Sequence, residues 1–304
     1  MNKEQLLKNL SVPTGKADVV IDTDTYNEID DQFALAYLLL SKEKLITKAI
    51  YAAPFLNTRS TSPEDGMKKS YDEIIKLLSI IKEDYPVFRG SEKFLSSEGE
   101  PVNSEAAADL AKRAESYSPE RPLYVVTIGA ITNVASALLI NPKIAENIVI
   151  VWLGGHARHY KDTKEFNMRQ DVAAARVVMN SGAPFVQLPC VGVVSAFTVS
   201  KPELEYWLSG KNPLADYLAR GAIEEADSYA SGKPWTRCIW DVTAVAWLLN
   251  DNGRFMESEI LPTCLPGYDG KYEKGREGQP MRYVYYINRD ALMEDLILKI
   301  LGQK

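Results

Sequence analysis

Histidine and cysteine are both scarce in this chain, two and three residues among 304. The cysteines, Cys190, Cys238 and Cys264, are widely separated and odd in number. They form neither a disulfide framework nor the close Cys/His pairing of a zinc site, so buried reduced thiols are expected. Excess positive charge is missing too: 35 Lys and Arg stand against 41 Asp and Glu, a net of −6. Nucleic acid and anionic membrane surfaces reward clustered cations, so neither is an expected partner. A small molecule, neutral or bridged by a cation, fits better. No apolar run approaches the ~20 residues that span a bilayer. Residues 1–16 carry charge throughout instead of the apolar centre of a secretory signal, and a cytoplasmic location is expected. With no long linker, repeat or low-complexity tract, residues 1–304 read as a single domain.

What is present is ordinary globular material, 46% apolar and 25% charged, enough for a sizeable core. Apolar β-rich runs at 18–22, 45–52, 123–127, 148–153 and 185–188 alternate with helical spacing at 31–40, 64–82, 104–116, 132–139 and 172–180. That alternation predicts an α/β fold, a mainly parallel central sheet flanked by helices in an open, Rossmann-like arrangement. Beyond about residue 200 the pattern becomes helix-rich (202–230, 241–249), then gives Tyr-rich strands and a closing helix at 289–301. Segments 88–103 and 266–280 read as surface loops.

The chemistry concentrates in VVIDTDTYNEIDDQFALAYLLL, where Asp22, Asp24, Asp30 and Asp31 fall within ten residues. A β run stops there and an apolar helix begins, and open α/β sheets bind ligands at that end of their strands. Crowded carboxylates repel one another and lose hydration, so a cation or a set of sugar hydroxyls must share their charge. A hard cation such as Ca²⁺, with six to eight oxygen ligands, suits the donors. Helix capping and a solvated acidic turn would account for one or two of the four.

Three further segments sit where strands are predicted to end. In TIGAITN, Thr127 to Asn133, Gly129 allows a sharp turn that presents carbonyls; taken alone it is a strand-to-helix turn with Thr132 as cap. The long segment from Trp152 to Asp171 holds both histidines, His156 and His159, with Glu165 and Asn167, an acceptor and a mixed donor/acceptor suited to vicinal hydroxyls. In TRCIWDVTAVAWLLN, Asp241 precedes an apolar helix and by itself reads as an N-cap. Separated segments that converge on one mouth are how α/β enzymes build sites.

IDTD with DDQFALAYLL, the Asn57 that ends IYAAPFLN, GAITNVASALLINP, VWLGG, EFN with Asp171, and WDVTAVAW together resemble the inosine/uridine-preferring nucleoside hydrolase family from about residue 18 to 301. The resemblance implies cleavage of a nucleoside's N-glycosidic bond by water, a role in nucleoside salvage, a bound Ca²⁺, and a homodimer or homotetramer. It implies that Asp24, Asp31, Asp241 and the Ile128 carbonyl ligate the metal, with Asp24 also taking a proton from the attacking water. Asp30, Asn57, Glu165 and Asn167 would grip the ribose, and Asp22 would orient the cluster from behind.

This chain departs from the family pattern in three places. Residues 25–29 are two longer than the usual spacing with its Pro-Gly turn, which brings Tyr26 and Asn27 forward as site candidates. Trp240 stands where members acting on purines and pyrimidines carry a histidine that protonates the leaving base. Segment 88–103 also lacks the histidine that many members place there. His159 or His156 is therefore a candidate acid, and Trp240, with Trp235 and Tyr229, a candidate stacking surface for an aromatic base. Two rivals share these residues: a non-catalytic riboside-binding protein, and a haloacid-dehalogenase-like phosphatase, whose Asp-x-Asp-x-Thr motif VVIDTDT fits.

Overall fold

The computed structural model describes residues 1–276 and 278–303. Its strands are β1 (Ala17–Thr23), β2 (Leu45–Ala52), β3 (Val87–Arg89), β4 (Leu123–Thr127), β5 (Ile148–Leu153), β6 (Phe185–Leu188), β7 (Thr198–Ser200), β8 (Thr236–Cys238), β9 (Met256–Pro262), β10 (Cys264–Pro266), β11 (Tyr272–Lys274) and β12 (Pro280–Ile287). Its helices are α1 (Lys3–Asn9), α2 (Asp30–Leu40), α3 (Pro63–Ile81), α4 (Glu105–Arg113), α5 (Thr132–Ile140), α6 (Phe166–Gln170), α7 (Val172–Asn180), α8 (Lys201–Trp207), α9 (Pro213–Ala230), α10 (Val242–Leu248) and α11 (Arg289–Ile300).

Eight strands form one sheet in the order β3-β2-β1-β4-β5-β6-β12-β9. All neighbours pair in parallel except the edge strand β9, which runs antiparallel to β12. The mainly parallel sheet expected from the alternation is thus observed. The central strands are continuous apolar runs because helices cover both their faces: every residue of β4, β5 and β6 is buried. The apolar core divides accordingly, with α2 and α10 in the cluster on one face and α4, α5 and α7 in the cluster on the other. Helix α2 is buried from Asp30 to Leu39 and packs against α10, so it is apolar nearly all round.

Two segments depart from the sequence expectation. Val87–Arg89 is an edge strand paired with β2, too short for its periodicity to stand out. The stretch after it, expected as a surface loop, buries Leu95 and Val102. Their backbone N–H groups donate to Asp171 Oδ2 at 2.8 Å and to Ser136 Oγ at 3.1 Å. Likewise the expected loop 266–280 contains β11 of a small hairpin with β10. Among the described residues no helix is long and apolar enough to cross a membrane.

Strand β1 lies between β2 and β4, where the strand order reverses direction. A crevice opens at such a switch point beyond the carboxyl ends of the strands. The residues just past β1 and β4 are Asp24 and Ile128.

Candidate active site

Each acidic residue of the N-terminal motif has a different surrounding. Asp22, still inside β1 and fully buried, accepts from Asn133 Nδ2 at 2.7 Å and Thr127 Oγ1 at 3.3 Å. Burial lifts its pKa to about 7 against those two bonds. Asn133 in turn accepts from the Ser91 N–H and hydroxyl at 2.7 and 2.8 Å, so Asp22 belongs to a strut beneath the pocket. Asp24, one residue past β1, is also buried, but neither carboxylate oxygen has a hydrogen-bond partner. Its proton affinity is raised first by burial and then by Asp31.

Asp30 and Asp31 open α2, and Asp241 stands immediately before α10. Neither helix start carries a side-chain capping hydrogen bond. The capping expectation for Asp241 therefore fails at the side chain: the carboxylate turns away from its own helix. Carboxylate oxygens of Asp30, Asp31 and Asp241 lie within 4.8 Å of one another, so the two N-termini meet there and their partial positive charge faces the cluster. Asp31 accepts from Thr23 Oγ1 at 2.5 Å. Burial raises both Asp30 and Asp31 to about 7, Arg237 opposing the shift at Asp30 and Thr23 at Asp31. Asp241 is pushed well above the ordinary range by burial and by the other aspartates.

Gly129, after the Ile128 carbonyl, is required by close approach. A Cβ there would stand 2.9 Å from Asp24 Oδ1 and 3.1 Å from Ala53 Cβ. Thr132 does not cap the next helix; its hydroxyl donates to Asp171 Oδ2 at 2.7 Å, while Asp171 Oδ1 caps α7 through the Ala174 N–H.

Glu165 and Asn167 form the opposite wall. Glu165 accepts three backbone N–H groups, from Gly155, Asn167 and Met168, at 2.8–2.9 Å. Of a carboxylate's roughly four acceptor positions, one is left. Asn167 donates both amide hydrogens to main-chain carbonyls, Ile128 at 3.0 Å and Leu153 at 3.1 Å. That leaves its oxygen as an acceptor and fixes the Ile128 carbonyl.

These groups enclose a cavity of about 210 Å³, below the ~300–1,000 Å³ of sites for drug-sized ligands and suited to a compact one. Asp24, Asn27, Asp30, Asp31, Ile128, Glu165, Asn167, Trp240 and Asp241 all line it. Five expected residues do not. Asn57 stands behind the wall and donates to Asn27 Oδ1 at 2.6 Å. Tyr26 turns outward into a neighbouring groove, where Arg59 and Lys69 lie over its ring. His159 is exposed beside Tyr160. His156 takes the place expected of His159: it lines the cavity, and its buried Nδ1 has no partner. Neither Trp235 nor Tyr229 reaches the cavity; Trp235 donates to Asp227 at 3.0 Å and Tyr229 lines the outer groove.

The lining also includes Glu28, Phe166, Cys190 and Val191, which sequence reasoning did not select. Cys190 and Val191 lie just beyond β6, so the strand-end rule could have found them. Burial pushes the Cys190 thiol up, which makes it an apolar wall and not a nucleophile.

The cluster passes a direct test for a hard cation. Asp24 keeps both carboxylate oxygens buried and unpartnered, a costly arrangement without a charge to share. The converging donors are all oxygen, the preference of Ca²⁺ and not of softer metals.

Known proteins resemble this chain in sequence and in shape. Residues 19–282 match the model of the family described as inosine-uridine preferring nucleoside hydrolase. The pyrimidine-specific ribonucleoside hydrolase RihA of Salmonella paratyphi C is 27% identical over 295 residues, covering 88% of each chain. Among solved structures, a plant nucleoside hydrolase, PpNRh1, superposes with a TM-score of 0.74 at 18% identity, over 94% of this chain and 99% of the other. An inosine-guanosine nucleoside hydrolase gives 0.75 at 18% identity, over 95% and 99%.

Proposed function

The chain belongs to the inosine-uridine preferring nucleoside hydrolase family, and from that premise we propose that it hydrolyses the N-glycosidic bond of a ribonucleoside. The observation that carries this reading is the buried pair of unpartnered Asp24 oxygens beside Asp31 and Asp241, facing a cavity whose other wall offers acceptors for hydroxyls. Asp24, Asp31, Asp241 and the Ile128 carbonyl are the groups that would hold Ca²⁺. When bound, the ion supplies Lewis-acid polarisation of the attacking water and neutralises the cluster.

This chain's residues do the rest. Asp24 takes a proton from the attacking water: neither of its oxygens accepts a hydrogen bond within the chain, so one can serve the ion and the other the proton. Asp30, the remaining acceptor position of Glu165 and the oxygen of Asn167 hold ribose hydroxyls and turn the anomeric carbon toward that water. The carboxylates of Asp30 and Glu165 stabilise the positive ring that develops as the bond to the base lengthens. Asn57 acts one step back by fixing Asn27, and Asp22 props the end of β1. Trp240, half-buried on the cavity wall, offers a face for an aromatic base. His156 is the cavity residue able to give the departing base a proton.

The family match covers the VVIDTDT motif, which removes the support for a phosphatase. A product screen over inosine, guanosine, adenosine, uridine and cytidine with added Ca²⁺, with Asp24→Asn as the blank, tests the proposal. Free base and ribose are expected from the wild type and not from the blank. Binding without product over hours would refute hydrolysis in favour of a riboside-binding protein.

A further inference from the structure

Arg237, in the three-residue strand β8, is 6% exposed at its side chain yet faces carboxylates on two sides. One Nη donates to Glu28 at 3.0 Å and the other lies 3.1 Å from Glu225 of α9. The guanidinium is also 3.9 Å from Asp30 Oδ1, and among the described residues it is the only cation paired with an aspartate of the cluster. Asp30 Oδ2 already receives the Trp240 N–H at 3.1 Å. Asp30 Oδ1 has no hydrogen-bond partner and is buried.

The distance is informative. At 3.9 Å a guanidinium stabilises a carboxylate's charge but is too far away to occupy its lone pair. Oδ1 therefore stays open as an acceptor beside a fixed positive charge. The same positive charge opposes a divalent cation on that oxygen, whereas among the described residues no cation forms an ion pair with Asp24 or Asp241. We infer that Arg237 is a positioning residue that reserves Asp30 for a sugar hydroxyl and so sets the preference for ribosides over deoxyribosides. The inference rests on the hydrolase reading above and adds to it the residue that makes Asp30 sugar-specific.

The test is kinetic. Wild type, Arg237→Met and Arg237→Lys are assayed with Ca²⁺ on inosine and uridine and on the 2′-deoxy and 3′-deoxy forms of each. Arg237→Met should lower kcat/KM at least tenfold on the ribosides. It should also shrink the preference over one of the two deoxy forms at least tenfold, because that substrate never used the Asp30 contact. Arg237→Lys keeps the charge but cannot fork between Glu28 and Glu225, and should show an intermediate preference. Equal loss on all sugars would reduce Arg237 to a structural clamp and overturn the inference, as would no loss. If Arg237→Met does not fold, Arg237→Lys decides alone: a reduced preference supports the inference and an unchanged one overturns it. Wild-type protein that turns over neither riboside defeats the hydrolase reading and this inference with it, whereas turnover with an unmoved preference defeats the inference alone.

Discussion

Replacing Asp24 with asparagine should make the metal-free protein more stable while abolishing its activity. Asp30 and Asp31 are lifted from 3.8 to about 7, chiefly by burial, and Asp24 is raised well beyond the ordinary range by burial and by Asp31. Such groups bind protons more tightly in the folded chain than in the unfolded one. Their favourable contribution is complete only below pH ~4, is lost as pH rises through about 7 and stays lost above it. Each factor of ten in protonation is worth ~1.4 kcal/mol, so Asp30 or Asp31 opposes folding by on the order of 4 kcal/mol at pH 8, and Asp24 opposes it in the same direction. Asp24→Asn removes one of these carboxylates together with its repulsion of Asp31, at nearly constant volume. The expected gain at pH 8 in chelator is ~2–4 kcal/mol, roughly 4–8 °C in Tm, shrinking below ~1 kcal/mol at pH 4. Added Ca²⁺ should reverse the order, because only the wild type keeps the full donor set. Differential scanning calorimetry across pH 4–8, with and without Ca²⁺, reads all of this. An Asp24→Asn protein no more stable than wild type at pH 8 in chelator, or a gain that ignores pH, would refute the buried-charge reasoning.

Gly129→Ala should push Asp24 aside, costing ~1–3 kcal/mol from overpacking and at least tenfold in Ca²⁺ affinity by isothermal titration; an unchanged affinity would mean that Asp24 is not held where the Cβ would fall. His156→Ala should lower kcat by ~10²-fold or more while His159→Ala leaves it within about twofold, and steady-state rates showing the reverse would return the role to the exposed histidine. Trp240→Ala should raise KM for ribonucleosides at least tenfold, the loss of ~1.4 kcal/mol of stacking and apolar contact; unaltered KM and kcat would make Trp240 a wall residue only.

The parts of the fold that were legible in the sequence are those whose signal is local. Strands β2, β4, β5 and β6 end at the residues their runs suggested; for β4, β5 and β6 the reason is burial on both faces, which favours a mostly apolar strand. Asp24, Asp30, Asp31 and Asp241 were legible because aspartates at strand and helix ends leave a pattern that survives loop remodelling. The choice between His156 and His159 was not, nor was the direction of Tyr26. A loop side chain is aimed by partners distant in sequence: Tyr26 by Arg59 and Lys69, and the chain at His156 by the Tyr272 hydroxyl on its carbonyl at 2.9 Å. Arg237 escaped notice for the same reason, since its meaning comes from Glu28 and Glu225, more than 200 residues away in one case.

The enlarged turn at residues 25–29 is held from both sides: Thr25 meets the Thr23 hydroxyl at 3.0 Å and Ile29 sits in the core. Arg59 grips the Asn27 carbonyl at 3.0 Å and Arg237 grips Glu28, while α2 behind it is anchored by its own buried residues. Thr25, Asn27 and Ile29 are buried and only Tyr26 and Glu28 keep part of their surface in solvent, so the longer turn folds back into the protein between Asp24 and Asp30. The turn and the helix thus carry separate anchors: Asn27 and Glu28, which line the cavity, are tied to Asn57, Arg59 and Arg237, while Asp30 and Asp31 ride on a helix seated in the core.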